Sequence, residues 1–193
     1  MIEARFDDLS TPGAPSFRLV GPAGVVEARR PGEVPGVLEA AEAAAARGLW
    51  AAGFVAYEAA PGLDPDLAVR PRLPDDPFAD LPLAWFALFE GLEPVELAEP
   101  RAAREPSPPD AWRPEVDDGR YRADVEAIRS LIAAGEVYQV NHTLRLRSRL
   151  TGDPRGLYRD LCLAQRGAYN AYLALGRYHV CSASPELFFE RRG

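Results

Sequence analysis

Apolar positions recur along the chain with two periods, and the longer one predicts helices. Tyr121, Val125, Ile128 and Ile132 lie three or four residues apart, as on one face of a helix, and Gly135 is placed to end it. The other two predicted helices are the alanine-rich residues 33–47, with Gly48 as their stop, and residues 153–167, with Asp153 as N-cap, Pro154 at the first helical position and Gly167 at the end.

Short apolar runs between turn residues predict strands. A hairpin is expected at Gly176 and Arg177, because an apolar run lies on each side of that pair. Two further runs, PSFRLV and GVVEAR, are joined by the turn residues 21–24. The predicted strands are residues 15–20, 24–29, 49–59, 82–91, 169–175, 178–184 and 187–190.

The segment from Gly135 to Leu150 predicts a strand with two unlike faces. Side chains alternate between the faces of a strand, so polar and apolar residues separate here. Asparagine is depleted in strands, which favours a polar binding surface, whereas a plain solvated face explains the same spacing. The apolar face would carry Tyr138, Val140, His142, Leu144 and Leu146, and the polar face Gln139, Asn141, Thr143, Arg145, Arg147 and Arg149.

A change of composition divides the chain. Residues 92–114 hold six prolines among many charged residues, a composition that buries little and stiffens the backbone. We therefore expect an N-terminal α+β region at 1–91, a proline-rich linker at 92–114 and a second domain at 115–193. Arg191, Arg192 and Gly193 follow a predicted strand as a hairpin turn would. A partner strand is thus expected beyond Gly193, and the isolated chain is expected to be truncated, marginally stable or prone to self-association.

Composition and charge exclude several classes of protein. The 193 residues are 47% hydrophobic and 26% charged, which is ordinary for a globular protein. A net charge of −7 disfavours a general nucleic-acid binder. No apolar run is long enough to span a membrane, and MIEARFDDLS lacks the features of a signal peptide, so we expect a cytoplasmic protein.

The inventory of reactive residues is short. All 22 basic residues are arginine, so no lysine is available as a Schiff base or a general base. His142 and His179 are too few and too far apart to suggest a catalytic triad or a histidine metal site. Cys162 and Cys181 are expected to be small buried residues, and no metal ligand set is predicted within this chain.

Three motifs, taken together in this order and at these distances, resemble the chorismate-utilising enzymes. They are GEVYQVN at 135–141, AYNAYL at 168–173 and SASPELF at 182–188. The Tyr-Gln-Val-Asn sequence is typical of the aminodeoxychorismate synthase component I branch, and GLWAAGFVAYEAAPGLDP at 48–65 resembles the N-terminal region of that branch. Anthranilate synthase component I is the nearest alternative.

The resemblance implies a fold and a reaction. The fold is α+β, with antiparallel sheets packed face to face and helices outside, and it would be incomplete in this chain. The reaction replaces the 4-hydroxyl of chorismate by ammonia, with Mg²⁺ holding the substrate carboxylate and a glutamine amidotransferase subunit supplying the ammonia. The product, 4-amino-4-deoxychorismate, leads to p-aminobenzoate and folate.

The resemblance also assigns residues. Gln139, Asn141 and Glu186 would line the substrate cleft. Water-adding relatives have a lysine at the position of Gln139, and a neutral amide cannot deprotonate water. Ammonia is already a nucleophile, so Gln139 fits an amine-transferring enzyme. A tryptophan or regulatory site would involve Tyr169, Asn170, Ala171 and Ser184, although many relatives have proline in place of Ala168.

The residues expected to perform catalysis are not in this chain. The resemblance places the catalytic lysine, in a Pro-Ile-Lys-Gly-Thr type of segment, beyond Gly193, and the glutamates that bind Mg²⁺ later still. The isolated chain is therefore expected to be inactive, and a non-catalytic binding fragment remains an alternative interpretation.

Overall fold

The computed structural model describes residues 1–96 and 112–191, and the chain divides into two compact units. The first comprises residues 1–102 and 154–193, and the second comprises residues 103–153. Most of the predicted proline-rich linker, residues 97–111, lies outside the described residues. The predicted domain boundaries therefore stay a prediction.

A six-stranded antiparallel sheet forms the first unit. Its strands are β1 (Ile2–Asp7), β2 (Phe17–Ala28), β3 (Trp50–Val55), β4 (Ala84–Pro94), β7 (Tyr169–Leu175) and β8 (Tyr178–Ser184). They lie in the order β3-β4-β2-β1-β7-β8, and every neighbouring pair is antiparallel. The sheet therefore agrees with the predicted α+β class.

The N-terminal strand β1 joins the two halves of this sheet and was not predicted. It pairs with β2 on one side and with β7 on the other, from Ile2↔Leu175 to Asp7↔Asn170. Its alternation of Ile2, Ala4 and Phe6 with charged residues is a strand pattern. The strand was not predicted because charged residues usually indicate exposure, whereas one of them, Asp7, is buried by contact with a distant part of the chain.

The three predicted helices are confirmed. They are α1 (Val34–Ala46), α2 (Asp118–Ala133) and α3 (Pro154–Gln165). Gly48 and Gly135 follow the first two with φ angles of 89° and 77°, the left-handed conformation that glycine adopts without strain. The side chain of Asp117 accepts a hydrogen bond from the backbone N–H of Arg120 and so caps α2.

Both helices of the first unit cover the same face of the sheet. Trp85, Ala87 and Phe89 of β4 share an apolar cluster with Leu173 of β7. The neighbouring residues Ala84 and Tyr172 point to the opposite face, where Ala84 packs with α1 and Tyr172 with α3. Because side chains alternate along each strand, one face of the sheet packs against the two helices and the other face forms a separate apolar cluster.

Three strand boundaries differ from the prediction. Residues 17–28 form one strand instead of two, with a register shift between Pro22 and Gly24 that absorbs the expected turn. Strand β4 continues past Gly91 to Pro94, because β2 supplies ladder partners that far. Residues 57–62 form a 3₁₀ helix, so the predicted strand at 49–59 ends at Val55.

Two predicted strands are wrong. In the segment 135–150 only Leu146–Arg147 (β6) forms a strand, paired with Arg113–Pro114 (β5) in the second unit. Residues 187–190 form no strand. Both segments have the right local pattern, but a strand also needs a neighbour for its backbone hydrogen bonds. Among the described residues, the first segment finds such a neighbour only at Leu146–Arg147, and residues 187–190 find none.

No helix within residues 1–96 and 112–191 is both long and apolar enough to cross a membrane.

Candidate functional site

The two amides predicted to line a cleft contact each other in the second unit. Gln139 Nε2 lies 3.3 Å from Asn141 Oδ1 and donates a hydrogen bond to it. Both residues are exposed, and this contact shows that their side chains lie on the same side of the segment. Each amide carries an oxygen and an NH₂ group, so within the described residues the pair has donor and acceptor atoms beyond this one bond.

A histidine fixes this segment against helix α2. The imidazole of His142 stacks on the ring of Tyr121 with 5.4 Å between centroids, and its Nε2 lies 4.0 Å from Asp124 Oδ2. The His142 side chain is 28% exposed, although the residue as a whole is exposed, and the strand predicted here is absent. The amide pair therefore extends from an anchored point instead of a loose loop.

The arginines that follow serve as supports. The backbone N–H of Glu115 donates to the carbonyl of Arg145 at 3.0 Å, and the Arg147 guanidinium donates to the Glu115 carboxylate. These contacts surround the short β5–β6 pairing. The segment therefore has two parts. Gln139 and Asn141 form an exposed neutral surface, and Arg145 and Arg147 attach the segment to Glu115.

The third predicted cleft residue, Glu186, lies in the first unit. Ser184 Oγ donates to the Glu186 carbonyl at 2.8 Å and accepts from the Glu186 N–H at 3.3 Å, which is a side-chain turn after β8. Glu186 is exposed. Its role in a cleft with Gln139 and Asn141 stays a prediction.

The residues predicted for a tryptophan or regulatory site lie at the start of β7 and the end of β8. Tyr169 pairs with Ser184 across the hairpin, and the tyrosine is 43% exposed. Ala171 is half-buried, and Asn170 is buried. The strand register brings these four residues together, and their ligand stays a prediction.

The Asn170 side chain forms hydrogen bonds to two chain segments, and one of its polar atoms has no hydrogen-bond partner among the described residues. Its Nδ2 donates to the backbone oxygens of Asp7 at 2.9 Å and of Gly167 at 2.7 Å. These two bonds fix which atom of the amide is nitrogen. The buried Oδ1 has no hydrogen-bond partner among the residues that the structure describes.

A buried polar cluster beside Asn170 was missed by the sequence analysis. Asp7 accepts hydrogen bonds from Arg5 Nε and Nη2, both at 2.7 Å, and from the Tyr158 hydroxyl at 2.7 Å. Burial, and then the bond to Asp7, raises the pKa of Tyr158 far above its usual range, so the phenol stays neutral. The hydrogen bond to Asp7 likewise raises the pKa of Arg5. The cluster is an internal brace between β1 and α3.

The two cysteines lie in or beside a buried cluster of the first unit. Cys162 is fully buried, and this burial raises the pKa of its thiol, which disfavours the nucleophilic thiolate. Cys181 is half-buried and packs against the same cluster as Cys162. The predicted buried state is thus confirmed for Cys162 and holds in part for Cys181.

No group of three or more histidine, cysteine, aspartate or glutamate side chains within residues 1–96 and 112–191 could hold a metal ion. Magnesium prefers an octahedral set of oxygen ligands, commonly from carboxylates. The described residues therefore offer no such ligand set, and the Mg²⁺ that the resemblance implies stays a prediction.

Comparison with known proteins gives a family match over most of the chain. The sequence model for chorismate binding enzymes matches residues 17–193. Aminodeoxychorismate synthase component 1 of Bacillus subtilis is 35% identical over 80 residues, which cover 42% of this chain and 17% of that protein. The Klebsiella aerogenes protein of the same name is 32% identical over 82 residues, covering 42% and 18%.

Anthranilate synthases match equally well. Component 1 from Thermus thermophilus is 40% identical over 83 residues, which cover 38% of this chain and 18% of that protein. The matched segments span less than a fifth of the length of each of these relatives.

Proposed function

The chain belongs to the chorismate binding enzyme family, and from that premise we propose that it contributes to an aminodeoxychorismate synthase component I. Such an enzyme converts chorismate and ammonia to 4-amino-4-deoxychorismate. We further propose the rest of the family arrangement: two antiparallel sheets packed face to face, a Mg²⁺ ion held by residues outside this chain, and a cytoplasmic location.

The observation that carries the proposal is the contact between Gln139 and Asn141. The two side chains form a neutral pair with donor and acceptor atoms still available, on a segment anchored by His142. Neutral amides can orient a nucleophile but cannot take a proton from water. Ammonia needs no such base. The pair therefore supports amine transfer over water addition, with Gln139 and Asn141 as orienting groups in the cleft and Glu186 as a third lining residue.

A glutamine amidotransferase is the proposed source of ammonia. The relatives are named as component 1, a name that implies a second component. No lysine occurs in the 193 residues, so we propose that the lysine nucleophile that the resemblance implies is supplied from outside them. We propose that these residues by themselves do not turn over chorismate.

Anthranilate synthase component I is the second candidate function. It is favoured by the 40% identity to the Thermus thermophilus protein. The Tyr-Gln-Val-Asn sequence at 138–141 supports the first candidate. The two reactions share chorismate and ammonia and differ in their product.

Gln139→Lys tests the role of the amide pair. In the protein expressed from the whole reading frame that contains these residues, we expect amination of chorismate to fall about tenfold or more, the equivalent of one lost hydrogen bond to the nucleophile. A hydroxylated product is expected to appear, because the lysine amine can act as a base on water. Both products are measured by liquid chromatography with mass spectrometry.

Gln165→Lys is the matched control, since Gln165 is an exposed glutamine at the end of α3. It adds the same charge in the other unit and is expected to leave amination unchanged. Equal rates for the wild type and Gln139→Lys, with no hydroxylated product, would remove Gln139 from the cleft.

A further inference from the structure

Strand β3 forms one border of the six-stranded sheet, and one side of its backbone is uncovered. It pairs with β4 from Trp50↔Phe89 to Val55↔Ala84. Within residues 1–96 and 112–191, the sheet has no strand on the other side of β3. An edge strand presents a row of N–H and C=O groups that can pair with another strand. This edge is therefore a surface that can recognise a further strand.

The strand register shows which backbone groups of β3 face outward. The N–H of Ala56 donates to the carbonyl of Leu83 at 2.7 Å, which continues the β3–β4 register by one residue. In an antiparallel ladder, the backbone groups of successive residues point to alternate sides. Every second residue, counted back from Ala56, thus points toward β4. The residues whose N–H and C=O groups point away from the sheet are Ala51, Gly53 and Val55.

The sequence of β3 lacks the features that keep edge strands apart. Natural edges commonly carry charged residues, proline or a bulge. Residues 48–57 contain no charged residue and no proline, and the β3–β4 register runs without a shift. Trp50 and Val55, at the two ends of β3, are 46% and 41% exposed. The edge thus combines uncovered backbone groups with apolar side chains, and both favour association.

The side chains along this edge fit a second copy of the same strand. In an antiparallel pair with a twofold axis at Gly53, Val55 lies opposite Ala51 of the second copy, and Phe54 lies opposite Ala52. Each contact places a large side chain beside a small one, and Gly53 adds no side chain at the axis. The outward-facing backbone groups of both copies all find hydrogen-bond partners in this register.

Charge also favours a second copy as the occupant. The charged residues nearest to β3 in sequence are Arg47 before it and Glu58 after it. An antiparallel pair brings the start of one strand beside the end of the other, so these opposite charges approach each other. Arg47 is exposed, and Glu58 is half-buried beside Arg72, whose side chain is 16% exposed. Two copies can therefore meet along residues 48–57 although each carries a net charge of −7.

We propose that the free edge of β3 pairs with β3 of a second copy of this chain, antiparallel and centred on Gly53. The pairing joins two six-stranded sheets into one continuous sheet. Ala52 and Phe54 of both copies then lie on the same face of this sheet, where in each copy they already pack with Trp85. The proposal goes beyond the proposed reaction and does not depend on it.

Sedimentation velocity of the protein expressed from the whole reading frame that contains these residues tests the proposal. We expect a concentration-dependent dimer for the wild type. In the double variant Ala51→Lys/Val55→Lys, lysines of the two copies lie directly opposite each other, so we expect dimerisation to be at least about tenfold weaker. A wild type that is monomeric at every concentration, or a double variant that dimerises as the wild type does, would overturn the proposal.

Val25→Lys is the control for the added charge. Val25 is 38% exposed, but it lies in β2, which has a strand on each side. This variant is expected to dimerise as the wild type does. Loss of its dimer would show that added charge, and not the edge of β3, controls association.

Charge reversal tests the register of the pair. Ala51→Glu/Val55→Glu is also expected to be monomeric by itself, because its carboxylates lie opposite each other. An equimolar mixture with Ala51→Lys/Val55→Lys is expected to restore a dimer with one copy of each variant, identified by native mass spectrometry. A mixture that stays monomeric, although both variants keep the circular dichroism of the wild type, would contradict the proposed pairing.

Hydrogen exchange tests the edge without any substitution. The N–H groups of Ala51, Gly53 and Val55 are expected to exchange several-fold more slowly at a protein concentration where the dimer predominates than at one where the monomer does. Equal exchange at the two concentrations would show that β3 is not the site of pairing.

Discussion

Asp7 is a buried carboxylate whose charge and hydrogen bonds are satisfied inside the protein. Arg5 neutralises it from two residues away on the same strand face, and Tyr158 reaches it from a position 151 residues later. A buried charge without such partners would cost several kcal/mol. The cluster therefore stabilises the contact between β1 and α3, and its residues are structural.

Tyr158→Phe removes the hydroxyl bond to Asp7 and leaves the ring in place. The carboxylate oxygen then loses a buried donor, so we expect the free energy of unfolding to fall by about 1–3 kcal/mol. Urea denaturation followed by circular dichroism measures this change. Tyr57→Phe is the control, because Tyr57 is 83% exposed, and its effect should stay below about 0.5 kcal/mol. Equal stability of Tyr158→Phe and Tyr57→Phe would contradict the bracing role.

The sequence predicted some of the residues at this end of the sheet as a site and gave no signal for others. Asn170 and Ser184 were predicted as one site, and the β7–β8 register brings their strands together. Asp7 gave no signal of burial, since a charged residue near the N-terminus is ordinarily exposed. Its burial follows from partners on β1 and α3 that no local pattern connects.

At the scale of elements, predictions held where the signal was local. Helices α1 and α3 have glycine or proline at their ends, and the β7–β8 hairpin has a two-residue turn at Gly176 and Arg177. Strands that depend on distant neighbours were less predictable. Residues 187–190 have strand composition without a partner among the described residues, and β1 has partners that sequence separation concealed.

Close packing between β3 and β4 explains the glycine at position 53. A Cβ atom there would lie 1.9 Å from the Trp85 carbonyl oxygen and 2.7 Å from Phe86 Cα. Backbone atoms in the middle of a ladder cannot move aside. Gly53→Ala is therefore expected to lower the free energy of unfolding by about 1–3 kcal/mol or more.

Gly36→Ala provides the comparison for this prediction. Gly36 lies in α1, and a Cβ atom added there would meet nothing within 4 Å, so alanine should raise the free energy of unfolding by about 0.5–1 kcal/mol. Thermal unfolding of both variants measures the opposite signs. A Gly53→Ala protein as stable as Gly36→Ala would show that β3 and β4 are not packed this closely.

At the scale of the whole molecule, exposed aromatic side chains predict self-association. Phe188 and Phe189 are 94% and 72% exposed and lie next to each other. Exposed apolar patches of this kind promote aggregation. Replacing both with serine is expected to shift the 193-residue chain toward monomer in size-exclusion chromatography with light scattering.

Leu73→Ser is the control for that experiment, because Leu73 is 64% exposed but lies in a different loop. It should leave the elution profile unchanged. A wild-type chain that elutes as a monodisperse monomer at high concentration would contradict the prediction.

We propose that this chain is part of an enzyme that aminates chorismate at the 4 position. The product formed from chorismate and isotope-labelled ammonium, with Mg²⁺, by the protein expressed from the whole reading frame that contains these residues tests this proposal. We expect labelled 4-amino-4-deoxychorismate without anthranilate, identified by mass spectrometry. Labelled anthranilate, a hydroxylated product, or unconsumed chorismate would show that the proposed reaction is wrong.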